Sequence, residues 1–233
     1  MKLKTILAVA ISTAFLAACG GGGGGGTAAA PVASTLSFPL QTGYRTLIAN
    51  GLTKSFTVSG TCTGSGTKSS SPANTAATFE GVAGLSATST LTMSLAGTGC
   101  TPSVAQSSTG YFDTNYIPLG FNSVGVNYGV YLTGITIPAS VTVGGTAILG
   151  TETLYTNSTK TTGNGRIDSI YVVEADTAST AIVNLIAKIY DASGTLTATE
   201  QDRYRMTSTG TLTPISIDIQ YANTSTAHLV FTF

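Results

Sequence analysis

The chain has 233 residues, in which 10 Lys and Arg balance 10 Asp and Glu and charged residues make up only 9%. Basic residues are scattered singly apart from Arg203 and Arg205, so nothing can neutralise a run of phosphates and nucleic-acid binding is excluded. Abundant Ser and Thr, 28 Gly, 10 Tyr and no Trp suit many short strands whose outer faces carry hydroxyls instead of ions, an all-β composition.

The first predicted element is an export signal. Lys2 and Lys4 precede an apolar stretch from Ile6 to Leu16, which is too short to cross a bilayer, where about 20 apolar residues are needed. Residues 1–18 are therefore expected to be removed. Leu16-Ala17-Ala18-Cys19 resembles the lipobox of bacterial lipoproteins. The resemblance implies a diacylglyceryl group on the Cys19 sulfur, cleavage just before it, and a further acyl chain such as palmitate on the new amino group. Each buried methylene contributes about 0.8 kcal/mol, so two or three chains anchor durably where one does not. Gly20 lacks the acidic character that retains such lipoproteins in the inner membrane, so the resemblance implies the outer membrane. Seven glycines, Gly20 to Gly26, and Thr-Ala-Ala-Ala-Pro follow. Residues 19–34 read as a flexible tether with a typical reach of about 20 Å.

Beyond the tether we expect an Ig-like β-sandwich module over residues 35–137 and an antiparallel β-meander module over 138–233. The boundary is placed where Pro138 and the pair Gly144-Gly145 interrupt the apolar pattern. A strand at 54–62 puts Phe56, Val58, Gly60 and Cys62 on one face, residues 64–78 read as an exposed loop, and 88–96 alternates again. With Cys19 assigned to lipid, Cys62 and Cys100 form an even pair in a disulfide-permissive compartment. A disulfide closing a loop of roughly 39 residues would restrict the unfolded chain by about 4 kcal/mol. The alternative is two free buried thiols. Leu91, Met93 and Leu95 set a phase that carries Cys100 to the wrong face, so the disulfide requires a bulge or strand end at Gly97 and Gly99.

Residues 111–120 are dense in aromatics and turn formers. One reading is a binding surface, in which Tyr111, Phe112 and Tyr116, with Tyr128 and Tyr131, offer stacking faces and Asp113 and Asn115 offer hydrogen bonds or oxygen ligands. The other is a core strand and its corner. Asp113-x-Asn115 lacks the glycine and distal glutamate of a calcium loop, and aromatics mostly fill cores, which favours the second. No metal set is expected, since two cysteines and the single His228 do not supply four ligands.

In the meander, strands are predicted over 147–155, 166–175, 182–190, 196–206, 212–221 and 228–233. Glycine turns at 162–165, 191–194 and 208–210 make successive strands antiparallel. Ile215, Ile217, Ile219 and Tyr221 alternate with polar residues, as in a strand with one buried and one wet face. The terminal Phe233 invites comparison with the last strand of an outer-membrane barrel. That reading is set aside because several strands are short and their exposed positions include Glu, Asp and Arg.

Catalytic patterns are absent: no Gly-x-Ser-x-Gly, His-Glu-x-x-His, phosphate loop or dinucleotide fingerprint, and no cofactor is implied. Two acidic pairs, Glu174 with Asp176 and Glu200 with Asp202, have a spacing compatible with glycoside hydrolysis. They read more simply as solvated strand-end charges, with Arg203 and Arg205 close enough to pair with Glu200 or Asp202. The expected function is an envelope lipoprotein, held at the membrane through Cys19, whose non-catalytic β body binds a protein or glycan partner or fills a structural role. The alternative is a lipid-anchored hydrolase of cell-wall or extracellular polymer.

Overall fold

A computed structural model describes residues 30–222 and 227–233; the signal, Cys19 and the glycines lie outside the described residues. Among the described residues one helix, α1 (Leu40–Asn50), precedes thirteen strands: β1 (Leu52–Gly60), β2 (Thr63–Ser70), β3 (Thr75–Phe79), β4 (Val82–Ala96), β5 (Ser103–Phe112), β6 (Pro118–Ser123), β7 (Asn127–Val130), β8 (Thr146–Tyr155), β9 (Gly163–Ala175), β10 (Thr180–Tyr190), β11 (Leu196–Thr207), β12 (Leu212–Tyr221) and β13 (His228–Thr232). All pairings are antiparallel.

The sheet closes on itself. Each of β4 to β13 pairs with the next, β13 pairs with β1, β1 with β2, and β2 with the second half of β4. Twelve strands thus form a barrel, while β3 stands outside the ring as a hairpin with the start of β4. This corrects the expected Ig-like sandwich followed by a meander. Strands on either side of residues 137 and 138 belong to one sheet, joined by β7 with β8 and by β13 with β1. Closure removes the exposed edges that a separate sandwich and meander would each leave unpaired.

Residues 64–78, expected as a loop, supply β2 and β3. Inward-facing Gly64 and Gly66 explain the difference. A Cβ on Gly66 would lie 2.5 Å from the Phe56 ring and 2.8 Å from Met93 Cβ. The glycines give β2 no side chain of its own there because its neighbours on β1 and β4 fill the space. On β1, β2 and β4 the outward positions are Thr53, Ser55, Thr57 and Ser59, then Ser65, Thr67 and Ser69, then Thr88, Thr90, Thr92 and Ser94. The predicted meander strands all occur, with ends shifted by three residues at most. Their outward positions carry polar pairs: Arg166 and Asp168 form an ion pair at 3.2 Å and Arg203 and Glu174 one at 3.0 Å, while His228 and Asp218 share a hydrogen bond at 2.7 Å. Hydroxyls and ion pairs therefore occupy the outer face and apolar side chains fill the interior. No helix among the described residues is long and apolar enough to cross a membrane.

The two ends of the barrel differ. At one, Cys62 and Cys100 are bonded, 6.0 Å apart between Cα atoms. β4 stops at Ala96, and Gly97 (φ 129°) and Gly99 (φ 78°) turn the chain before Cys100, the strand end that the phase of Leu91, Met93 and Leu95 demands. At the other end lies α1, which the sequence reading missed. Leu40, Tyr44, Leu47 and Ile48 make its apolar stripe, Pro39 precedes it, and Gly51 ends it with its N–H donating to Leu47 O at 3.0 Å. Gly43 lets it settle on the turn after β11, for a Cβ there would lie 2.4 Å from Gly210 O. The chain from Val32 reaches this end by bridging Asp176, then Val141 through Phe38.

Candidate functional site

Beneath α1 the barrel retains a cavity of about 100 Å³. Its apolar wall includes Leu40, Leu47 and Ile48 of α1, Phe112, Leu149, Val183, Leu185 and Phe233. Polar groups converge on it from several strands: Lys68 of β2, Ser89 of β4, Ser108 of β5, Glu152 of β8, Ser169 of β9 and Tyr204 of β11, with Tyr44 and Tyr131. Alternation places Ser89, Ser108, Glu152, Ser169 and Tyr204 inward, because each shares its parity with the buried apolar residues of its own strand, and Lys68 shares the parity of the inward glycines of β2.

Glu152 is the unusual member. Its residue is 2% exposed, and burial pushes its carboxyl from an ordinary 4.5 up to about 8. No hydrogen bond or ion pair among the described residues offsets that burial. Around it, Tyr131 shares a hydrogen bond with Ser169, and burial, with the nearby Glu152 carboxylate, holds the Tyr131 and Tyr44 hydroxyls well above their usual range. Gly129 completes the cradle, since a Cβ there would lie 2.8 Å from Glu152 Oε1.

A second polar group lies deeper. Glu200 and Asp202 are both 0% exposed and successive inward positions of β11. They are not solvated strand-end charges, which corrects that expectation. Burial raises the Asp202 pKa well above the carboxylate range, the Glu200 charge raises it further, and Lys68 from the facing wall opposes the shift. Two carboxyls this close together inside a protein do not both ionise, so one of them holds a proton. Arg203 and Arg205 point the other way, out of the barrel, where Arg203 pairs with Glu174 at 3.0 Å and Arg205 with Asp176 at 2.7 Å. The Arg205 guanidinium holds the Asp176 carboxyl below its ordinary value. The two acidic pairs thus face different media, Glu174 and Asp176 outward against arginines and Glu200 and Asp202 inward.

The aromatic segment is dispersed. Phe112 is buried on the cavity wall. Tyr111 lies on the outer face, stacked at 4.4 Å on Phe79, which also packs 5.3 Å from Tyr128. Asp113 accepts hydrogen bonds from the backbone N–H groups of Asn115 and Ile117, both at 2.8 Å, and this Asx turn directs Tyr116 (φ 62°) and Ile117 back onto the core. Asp113 oxygen is occupied by the turn, and the five residues present no common face. The β3–β4 hairpin is fastened over this outer cluster: Tyr128 Oη donates to Glu80 Oε1 at 2.6 Å, and Lys160 pairs with the same carboxylate. Among the described residues no group of three or more His, Cys, Asp or Glu could hold a metal.

Glu152 and Lys68 escaped the sequence reading because each sits singly in a stretch of hydroxyl residues. One signal was present: Glu152 has the same parity as Leu154, with Thr151 and Thr153 on the other. No protein-family model, no curated protein and no solved structure matches the chain.

Proposed function

We propose that this is an outer-membrane-anchored envelope lipoprotein whose β-barrel body is non-catalytic and binds a small, largely apolar molecule in its helix-capped interior. The cavity beneath α1 carries the reading. A core of this size is ordinarily filled to the density of an organic crystal, and a concave apolar space with a few convergent polar groups is the usual form of a ligand site. A space of about 100 Å³ holds roughly seven to ten water-sized spheres, enough for one aromatic ring with a short substituent. The binding expectation thereby moves from an aromatic surface at residues 111–116 to the interior.

The anchor rests on Leu16-Ala17-Ala18-Cys19 and on the chain path, because the described chain begins at the same end of the barrel as α1. The hydrolase alternative draws little support. Glu174 and Asp176 are each neutralised by an arginine, and Glu200 and Asp202 are buried off the cavity wall, whereas glycoside hydrolysis needs two carboxyls flanking one accessible bond. Two experiments test the reading. Metabolic labelling with palmitate should mark the protein and lose the mark in Cys19→Ala. Titration of the purified chain with small aromatic ligands should raise its melting temperature in proportion to the logarithm of ligand concentration; absence of any such rise across ligands that fit the cavity would remove the binding reading.

A further inference from the structure

The chemistry of the cavity wall narrows the ligand further, on the premise that the interior is the binding site. Glu152 contributes the only acidic side chain on that wall among the described residues, and no donor among them meets it. Leaving a carboxyl without a donor inside a protein costs free energy that any molecule bringing a donor would recover. The surroundings select the donor. Tyr44, Tyr131, Tyr204 and Phe112 place aromatic rings around the same space, and a ring face attracts a cation through its quadrupole, the more so when water is excluded.

The groups facing Glu152 from each packed element leave its charge uncompensated. From α1 comes Tyr44 and from the end of β7 Tyr131, which Ser169 of β9 meets in turn, while Tyr204 of β11 lies on the same wall beside Tyr44; none is a cation. Arg45 of α1 lies off the cavity wall. Lys68, on β2 across the barrel, lines the same cavity but acts on Asp202 and not on Glu152.

We propose that the cavity binds a small apolar amine, its ammonium group against the Glu152 carboxylate and its apolar body between α1 and Phe112. Binding is then coupled to release of a proton. The empty site holds Glu152 mostly protonated at neutral pH, with its pKa at about 8, and the ammonium group requires the carboxylate. Affinity for an amine therefore rises about tenfold per pH unit below that value and levels off between it and the pKa of the amine itself, above which the ammonium group is lost.

Three probes with one ring and different heads, benzylamine, benzyl alcohol and benzoate, separate the possibilities by calorimetric titration of the full chain kept soluble in amphipol. Benzylamine is expected to bind at least about tenfold more tightly than benzyl alcohol above the Glu152 pKa. Its affinity should climb with pH while that of the alcohol stays flat. Glu152→Gln should abolish the climb and the preference for the amine while leaving the alcohol bound. Equal affinity for amine and alcohol, a flat pH profile for the amine, or tighter binding of benzoate would each overturn the amine assignment and leave the interior as a binding site. Failure of all three probes would remove both. The pH profile is read on the unaltered chain, so the assignment stays open to refutation even if Glu152→Gln does not fold.

Discussion

The barrel has two walls built on different principles. Along β1, β2, β4 and β5 the outer face is mostly Ser and Thr, the inner face is apolar residues and glycine with Lys68, Ser89 and Ser108 but no acid, and a disulfide closes the end. Along β8 to β12 the outer face carries ion pairs, and the inner face carries Glu152, Glu200 and Asp202. Both keep the outside wet. The first does so with short side chains that lose little entropy on ordering; the second uses long charged ones and accepts buried acids within. The difference teaches where sensitivity should reside: covalent and steric in the first wall, electrostatic in the second.

The largest expected effect belongs to the second wall. Glu152 has a folded pKa near 8 against an ordinary 4.5, so between these values the folded state binds more protons than the unfolded one. Stability is then greatest at the acid end of that window and falls as pH rises through it, by about 1.4 kcal/mol for each pH unit. Asp202 shifts in the same direction. Urea unfolding at pH 5, 6.5 and 8 measures the slope, and Glu152→Gln should flatten it and stabilise the protein at the alkaline end. A flat profile in the parent protein would erase the contrast between the walls.

Removing the disulfide with Cys62→Ala and Cys100→Ala together should cost about 4 kcal/mol, from the loop of 38 positions it closes, with no change in the pH slope. Gly66→Val comes next. Its side chain would meet Phe56 and Met93 inside the first wall, for a loss of about 2 to 3 kcal/mol in a denaturation midpoint. Smallest are changes on the outer faces. Breaking Arg203 with Glu174 by Glu174→Gln should cost under about 1 kcal/mol, and Thr90→Val on β4 should stay within about 0.5 kcal/mol. A surface pair worth more than the disulfide would invert the comparison.

Legibility in the sequence follows the same division. The strands after residue 146 were readable because apolar residues recur with strand periodicity or, in β10, as a nearly continuous run, and glycine turns punctuate them. In the first wall, β2 offers Thr-Gly-Ser-Gly-Thr-Lys-Ser-Ser, where glycine replaces the apolar half of the pattern and the strand exists because β1 and β4 pair with it. Closure was illegible for a related reason: β1 with β13 joins residues about as far apart as the chain allows, and no local signal specifies such a pairing. Of the candidate site, Phe112 was legible as a core aromatic. Glu152 was not, since a single acid between threonines looks solvated until its parity with Leu154 is set inside a closed ring.

The path of the chain ahead of α1 gives the molecule a mechanical property. Val32 N–H donates to Asp176 O at 3.1 Å, Ser34 Oγ to Ala178 O at 2.8 Å, and Phe38 and Val141 exchange backbone hydrogen bonds at 2.8 and 2.9 Å. Tension applied upstream of residue 30 loads these few bonds in series before it reaches α1, and reaches α1 before any strand of the ring. The staves of the barrel are held by many parallel bonds and by Cys62 with Cys100 at the far end, so the lid yields first. A body moored at this end would couple pulling on its mooring to uncovering of the chamber beneath.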